Sequence, residues 1–172
     1  SAWDMGDLAP MAAFSVADRD VVKTMIARGV NTPRTSSVGR LFDAVASITG
    51  LRQRVRYEGQ AAMELEFAID AVETDEAYQF GIVDAPTWMV DWAPLVSGVV
   101  ADTRAGCPVG IVSARFHNTL AEIIVGAARR AAADRVVLSG GCFQNRYLAE
   151  RAVRRLREDG FRPCWHQRIP PN

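Results

Sequence analysis

Apolar residues recur with a helical period over most of this chain and with a period of two in only a few short runs, so the sequence predicts helices interrupted by brief strands. Ser15-Val16-Ala17-Asp18 has a capping-box-like spacing ahead of Val21, Val22, Met25 and Ile26, and Gly29 stands where a helix would end. That combination predicts a surface helix. A polar connector over 31–37 follows, and its last serines can cap a second helix in which Val38, Leu41, Phe42, Val45 and Ile48 keep helical spacing up to Gly50. A third helix is expected over 59–71, with Ala62, Leu65, Ala68 and Ile69 inward. The period then drops to two: Tyr78, Phe80 and Ile82 alternate with less apolar neighbours, and Trp88-Met89-Val90 after Pro86 reads as a second strand. Trp92, Leu95, Val96, Val99 and Val100 predict a helix ending near Gly106. A long helix is expected over 108–132 on Val112, Phe116, Leu120, Ile123, Ile124 and Ala127, its alanine-rich end suited to close packing against a sheet.

The most informative junction comes next. Val136-Val137-Leu138 reads as a buried strand, and it runs through Ser139-Gly140-Gly141-Cys142-Phe143-Gln144-Asn145 into a helix expected over 144–157 with Leu148, Ala152, Val153 and Leu156 on one face. Paired glycines carry no Cβ to block a ligand that comes close to the backbone. The helix N-terminus, with unpaired amides and a positive dipole end, would point at whatever sits over them. Many strand-Gly-Gly-helix connections merely turn the chain, and a full phosphate-loop pattern is absent here. Gly160 closes the helix, and 161–165 read as a last strand. The alternation favours an α/β domain heavy in helix with an incomplete sheet.

Composition narrows the function classes. With 172 residues, 49% of them hydrophobic, the chain can bury one ordinary domain core. Its 20 basic and 20 acidic residues cancel and no basic block appears, which argues against nucleic acid as a direct partner. Cys107, Cys142 and Cys164 show no CxxC spacing and are odd in number, so neither a disulfide framework nor a zinc ribbon is expected, and a reducing cytoplasm is the expected compartment. No run reaches the length of a membrane span, and no signal-peptide pattern opens the chain. Ser1-Ala2-Trp3-Asp4 and Ile169-Pro170-Pro171-Asn172 do not taper into polar low-complexity sequence, which reads as a piece of something longer.

Four strings, in order and spacing, resemble the carboxy-terminal domain of the hydrogenase-maturation carbamoyltransferases, the HypF family. They are Thr35-Ser36-Ser37-Val38-Gly39-Arg40-Leu41-Phe42-Asp43-Ala44-Val45-Ala46, Tyr57-Glu58-Gly59-Gln60-Ala61-Ala62, Arg115-Phe116-His117-Asn118-Thr119-Leu120 and Leu138-Ser139-Gly140-Gly141-Cys142-Phe143-Gln144-Asn145. The resemblance implies a helix-rich part of an actin-like, ribonuclease-H-like ATPase fold, related to the enzyme that makes threonylcarbamoyladenosine on tRNA. Residues 1–172 would be a fragment of the carbamoyl-transfer domain, without its first lobe and its extreme carboxy terminus. The family's reaction forms carbamoyl-adenylate from carbamoyl phosphate and ATP. The carbamoyl group then passes to a carboxy-terminal cysteine of a partner maturation protein, HypE-like, and becomes the cyanide ligand of the nickel-iron site.

By the same resemblance, Gly140 and Gly141 form a phosphate-facing turn and Asn145 contacts the nucleotide. The position of Asp43 binds ribose hydroxyls, which suits an acceptor-only carboxylate, and Gly59 matches a glycine after the next helix. Glu58 neighbours that site and ranks below Asp43; on its own residue type Asp43 is more often a solvated helix-face charge, and Glu58 could be a helix-start acid instead. His117 belongs to a family string, yet a lone helix histidine is more often a satisfied packing residue than a base or ligand, so its role stays open. The acceptor thiol belongs to the partner, and Cys142 reads first as a small apolar filler. The family's divalent metal uses paired histidines upstream and an aspartate downstream of Pro170-Pro171-Asn172, outside these residues, so no metal is expected on this chain alone. Weak or absent activity is expected of the isolated fragment. Two other functions fit parts of the pattern: a relative that carbamoylates a small-molecule hydroxyl or a tRNA adenosine, and a noncatalytic module that docks a partner through exposed Trp and Arg residues. The Tyr57-Glu58-Gly59-Gln60 and Phe116-His117-Asn118 strings favour the first reading.

Overall fold

The structure, a computed structural model, describes residues 5–84 and 87–168; Ser1 to Asp4, Pro86 and the Pro170-Pro171-Asn172 segment lie outside them. The chain divides into two compact units, residues 1–64 and 65–172.

The first unit is helical. A short helix α1 (Ala9–Ala12) precedes α2 (Val16–Arg28), α3 (Val38–Ile48) and the start of α4 (Gln60–Ile69). The predicted capping box at α2 is present: the Asp18 amide donates to Ser15 Oγ, and the Ser15 amide and hydroxyl donate to Asp18 Oδ2. These bonds satisfy orphan amides at the helix start and hold the Asp18 carboxyl below its usual range. Gly29 ends α2 in the left-handed region. No residue of α2 is buried, in keeping with a surface helix. Helix α3 buries Phe42, Val45 and Ala46, as its period required. Ser37 occupies the N-cap position but makes no side-chain cap bond; instead its amide donates to Thr35 Oγ1, so Thr35 organises the connector.

The second unit carries the rest. Antiparallel strands β1 (Gly81–Val83) and β2 (Met89–Asp91) pair Ile82 with Val90. Helices α5 (Ala93–Arg104) and α6 (Val109–Ala131) follow, then β3 (Arg135–Leu138), a 3-10 turn (Gly141–Gln144), α7 (Arg146–Glu158) and β4 (Arg162–Trp165). Strands β3 and β4 run parallel, Val136 opposite Pro163 and Val137 opposite Cys164. The expected incomplete sheet is therefore two separate two-stranded ladders among the described residues. Helix α6 is the spine: it packs on α5 and on α7 and buries Val112, Phe116, Leu120 and Val125.

Four expectations shift. Ala61, not Ala62, joins Leu65 and Ile69 in the buried row of α4, because those three positions repeat every fourth residue. Tyr78 and Phe80 lie outside any ladder: the Tyr78 amide donates to Thr119 Oγ1 and its hydroxyl to Asp102, so the alternation reflects packing on α5 and α6. Val137 is 73% exposed and only Leu138 of β3 is buried, since a two-stranded ladder has one covered face. The last helix begins at Arg146, one 3-10 turn later than its apolar period suggests.

Gly110 shows how tightly α6 sits on α4. A Cβ placed there would lie 2.4 Å from the Ala68 carbonyl oxygen, a backbone atom that cannot swing aside. Gly110→Ala is expected to destabilise the protein by about 1–3 kcal/mol through overpacking. A melting temperature equal to wild type would show that the two helices have slack.

Candidate functional site

The turn after β3 combines two glycines with different requirements. Gly140 has φ 102 and ψ 159, a conformation that side chains with a Cβ rarely adopt, and the Phe143 amide donates back to its carbonyl at 3.0 Å. Gly141 has no such backbone demand. Among the described residues, a Cβ on either glycine would meet nothing within 4 Å, so none of them covers this side of the turn. The amides of Gly141 and Cys142 precede the first internal bond of the 3-10 turn and donate to no backbone carbonyl among the described residues, while the Cys142 amide faces its own sulfur.

The start of α7, by contrast, is capped from within. Asn145 Oδ1 accepts from the Leu148 amide at 2.8 Å, and Glu66 Oε1 accepts from the Tyr147 amide at 3.0 Å. A resident carboxylate thus stands where the bare helix N-terminus would draw an anion, which corrects the expectation of unpaired helix amides over the glycines. Anion binding here would fall to the 3-10 turn, not to α7.

Behind the turn lies a buried polar belt on α6. His117 is fully buried; its Nδ1 lies 2.7 Å from the Ser113 carbonyl oxygen, and its Nε2 lies 2.9 Å from Asn145 Nδ2. A carbonyl only accepts, so Nδ1 carries the proton and Nε2 accepts from the Asn145 amide. Ser113 Oγ in turn donates to the Leu65 carbonyl of α4 at 2.6 Å. Burial pushes the His117 pKa down to about 4, and the bond from Nδ1 to Ser113 offsets this only in part. His117 is therefore neutral and sealed from solvent, with both ring nitrogens engaged. Next to it, Asn118 Nδ2 donates to the Thr74 and Glu76 carbonyls at 2.8 and 2.9 Å, and its Oδ1 accepts from the Tyr147 hydroxyl. Thr119 accepts the Tyr78 amide at 2.8 Å. Arg115 reaches Asp102 and Glu76, which hold its guanidinium charge firmly.

The other candidates lie in the first unit. Asp43 on α3 is partly exposed and pairs with Arg40 at 3.0 Å. Glu58 is exposed, and Gly59 takes φ 81 just before α4. Gln60 is buried: its Oε1 accepts from the Arg56 amide and its Nε2 donates to Glu64, which also receives the Arg52 guanidinium. Asp43, Glu58 and Gly59 thus belong to the first unit, and Gly140, Gly141 and Asn145 to the second. Burial pushes the Cys142 thiol up, which disfavours a thiolate there. Among the described residues no three His, Cys, Asp or Glu side chains converge as a metal set, and no helix is long and apolar enough to cross a membrane.

Residues 2–172 match the family described as the carbamoyltransferase, Kae1-like domain, second subdomain. The chain belongs to that family. Its curated relatives include the carbamoyltransferase HypF of Rhizobium leguminosarum bv. viciae, 39% identical over 96% of this chain and 22% of the relative. The HypF of Synechocystis sp. is 38% identical over 81% of this chain and 18% of its own length. A solved structure of full-length HypF in its phosphate- and nucleotide-bound form superposes with a TM-score of 0.86 at 34% identity, over 94% of this chain and 22% of that one. The Kae1-like subdomain thus spans about a fifth of the proteins it matches. Its fold is the helix-rich α/β arrangement of the actin-like ATPases.

Sequence reasoning missed Gln60, Ser113, Asn118 and Thr119 as buried polar residues of the Kae1-like subdomain. One signal was available: three successive polar side chains, His117-Asn118-Thr119, stand between the apolar Phe116 and Leu120, and successive residues cannot share a single solvated face. The depressed His117 pKa carries a stability consequence. The unfolded chain takes up the proton near pH 6.5 and the folded chain only near 4, so this contribution is full above pH 6.5 and is lost as pH falls through 4. It amounts to about 3 kcal/mol. Unfolding free energies of wild type and His117→Gln, measured from pH 7 to pH 4, should converge by that order; parallel curves would contradict a neutral buried imidazole.

Proposed function

We propose that this chain is the nucleotide-facing part of the carbamoyl-transfer domain of a hydrogenase-maturation carbamoyltransferase. The complete protein would act in the cytoplasm, forming carbamoyl-adenylate from carbamoyl phosphate and ATP and passing the carbamoyl group to a carboxy-terminal cysteine of a HypE-like partner. A divalent metal is assigned to the complete domain only. One observation carries the reading: Gly141 has an ordinary backbone and no neighbour within 4 Å of its missing Cβ among the described residues, so their packing does not require glycine there. A ligand that approaches the main chain would. The relative whose structure is named as phosphate- and nucleotide-bound supports a nucleotide as that ligand.

The chemistry is acyl transfer from a mixed anhydride. The partner's thiolate sulfur attacks the carbamoyl carbon, the carbon–oxygen bond to the adenylate phosphate breaks, and AMP leaves with the electron pair. Amides of Gly141 and Cys142 would receive the charge that builds on the phosphate, and the complete domain would position donor and acceptor while excluding water. His117 takes no proton in this scheme, because both its nitrogens are engaged within the fold. Within the first unit, Glu58 and Gly59 are proposed nucleotide contacts, and Asp43 is the proposed acceptor for a ribose diol. Its pairing with Arg40 is a surface ion pair worth well under about 1 kcal/mol, so exchanging it for hydroxyl groups costs little.

In the complete protein, Gly141→Val should abolish carbamoyl transfer to the partner while leaving adenylate formation, followed as pyrophosphate release, intact. Because a Cβ there meets nothing within 4 Å among the described residues, the melting temperature should stay within about 2 °C of wild type. Equal loss of both activities would refute the assignment.

A further inference from the structure

We infer that His117 is the positioning residue of the nucleotide turn: from α6 its Nε2 holds the Asn145 amide, and through Asn145 it fixes where the Gly140–Gly141 turn ends and α7 begins. The inference rests on the nucleotide reading of that turn.

The geometry leaves little freedom. Asn145 is 8% exposed and sits at the joint between the 3-10 turn and α7. Its amide can be placed in two ways that swap oxygen and nitrogen. Only one of them lets Oδ1 accept from the Leu148 amide while Nδ2 donates to His117 Nε2. That choice requires an acceptor at Nε2, which in turn requires the proton on Nδ1, and the Ser113 carbonyl keeps it there. Ser113 is itself tied to α4 through the Leu65 carbonyl. The direction of the one remaining Asn145 N–H is thereby set by a chain of donors and acceptors that starts two helices away. A swapped amide would set its NH2 group against the Leu148 amide, donor to donor, and release the cap of α7. His117 touches no ligand in this arrangement. It acts only through Asn145.

Two substitutions separate the two ring nitrogens. His117→Asn keeps a donor near Nδ1 for the Ser113 carbonyl but has nothing that reaches Asn145. His117→Gln reaches as far as Nε2 and restores an acceptor for Asn145. In the complete protein, hydrogen exchange of peptides covering residues 139–148, titrated with AMP, reads this turn apart from any other nucleotide site. His117→Asn should speed exchange at the Leu148 amide without AMP, and should raise the AMP concentration that half-protects the turn by about tenfold. His117→Gln should restore both to near wild type. Wild-type values in His117→Asn, or no difference between the two variants, would overturn the inference. If AMP fails to protect the wild-type turn at all, the nucleotide reading falls; Leu148 exchange without AMP then decides the His117–Asn145 link alone.

Discussion

The hydrogen bond from the Asn145 amide to His117 Nε2 is the contact on which the candidate site depends. It joins the longest helix of the chain to the first residue of the turn-to-helix joint, and neither partner has an alternative in water, since both are buried. A buried donor or acceptor left without a partner costs about 1–3 kcal/mol, more than a typical bond contributes when it is made. Such a contact stabilises little in absolute terms but makes every other arrangement of the turn costly. Specificity of shape, more than stability, is what a buried polar pair supplies here.

The same logic extends along α6. Successive residues on a helix point about 100° apart, so His117, Asn118 and Thr119 face three different neighbours. His117 addresses Asn145, Asn118 addresses the segment around Thr74 and Glu76 together with Tyr147, and Thr119 addresses Tyr78. One turn of helix thereby registers two other parts of the chain, the irregular stretch 74–78 and the start of α7. Among the described residues nothing comes within 4 Å of a Cβ on Gly140 or Gly141, so none of their side chains has to stand over the glycines to hold the turn.

Much of this was legible in the order of residues. The α2 capping box, the left-handed Gly29 and the buried face of α7 follow from local rules in which a side chain and its partner lie within one helical turn. What could not be read depends on residues far apart in sequence. The late start of α7 needs Asn145 as its cap, and the Glu66 carboxylate that occupies the helix amides comes from α4. The alternation at Tyr78 and Phe80 imitates a strand because one side packs on helices while the backbone bonds to Thr119. At the candidate site, glycines and asparagine could be named from the resemblance, but the distinction between a Gly140 that the backbone demands and a Gly141 that it does not required φ angles and neighbouring atoms.

The account turns on where an anionic oxygen meets the main chain. A crystal structure of the complete protein with AMP bound is the most direct measurement. It should place the phosphate within hydrogen-bonding distance of the Gly141 and Cys142 amides, with Asn145 still bonded to His117. A phosphate held instead at the start of α7 in place of Glu66, or bound elsewhere with this turn vacant, would contradict it.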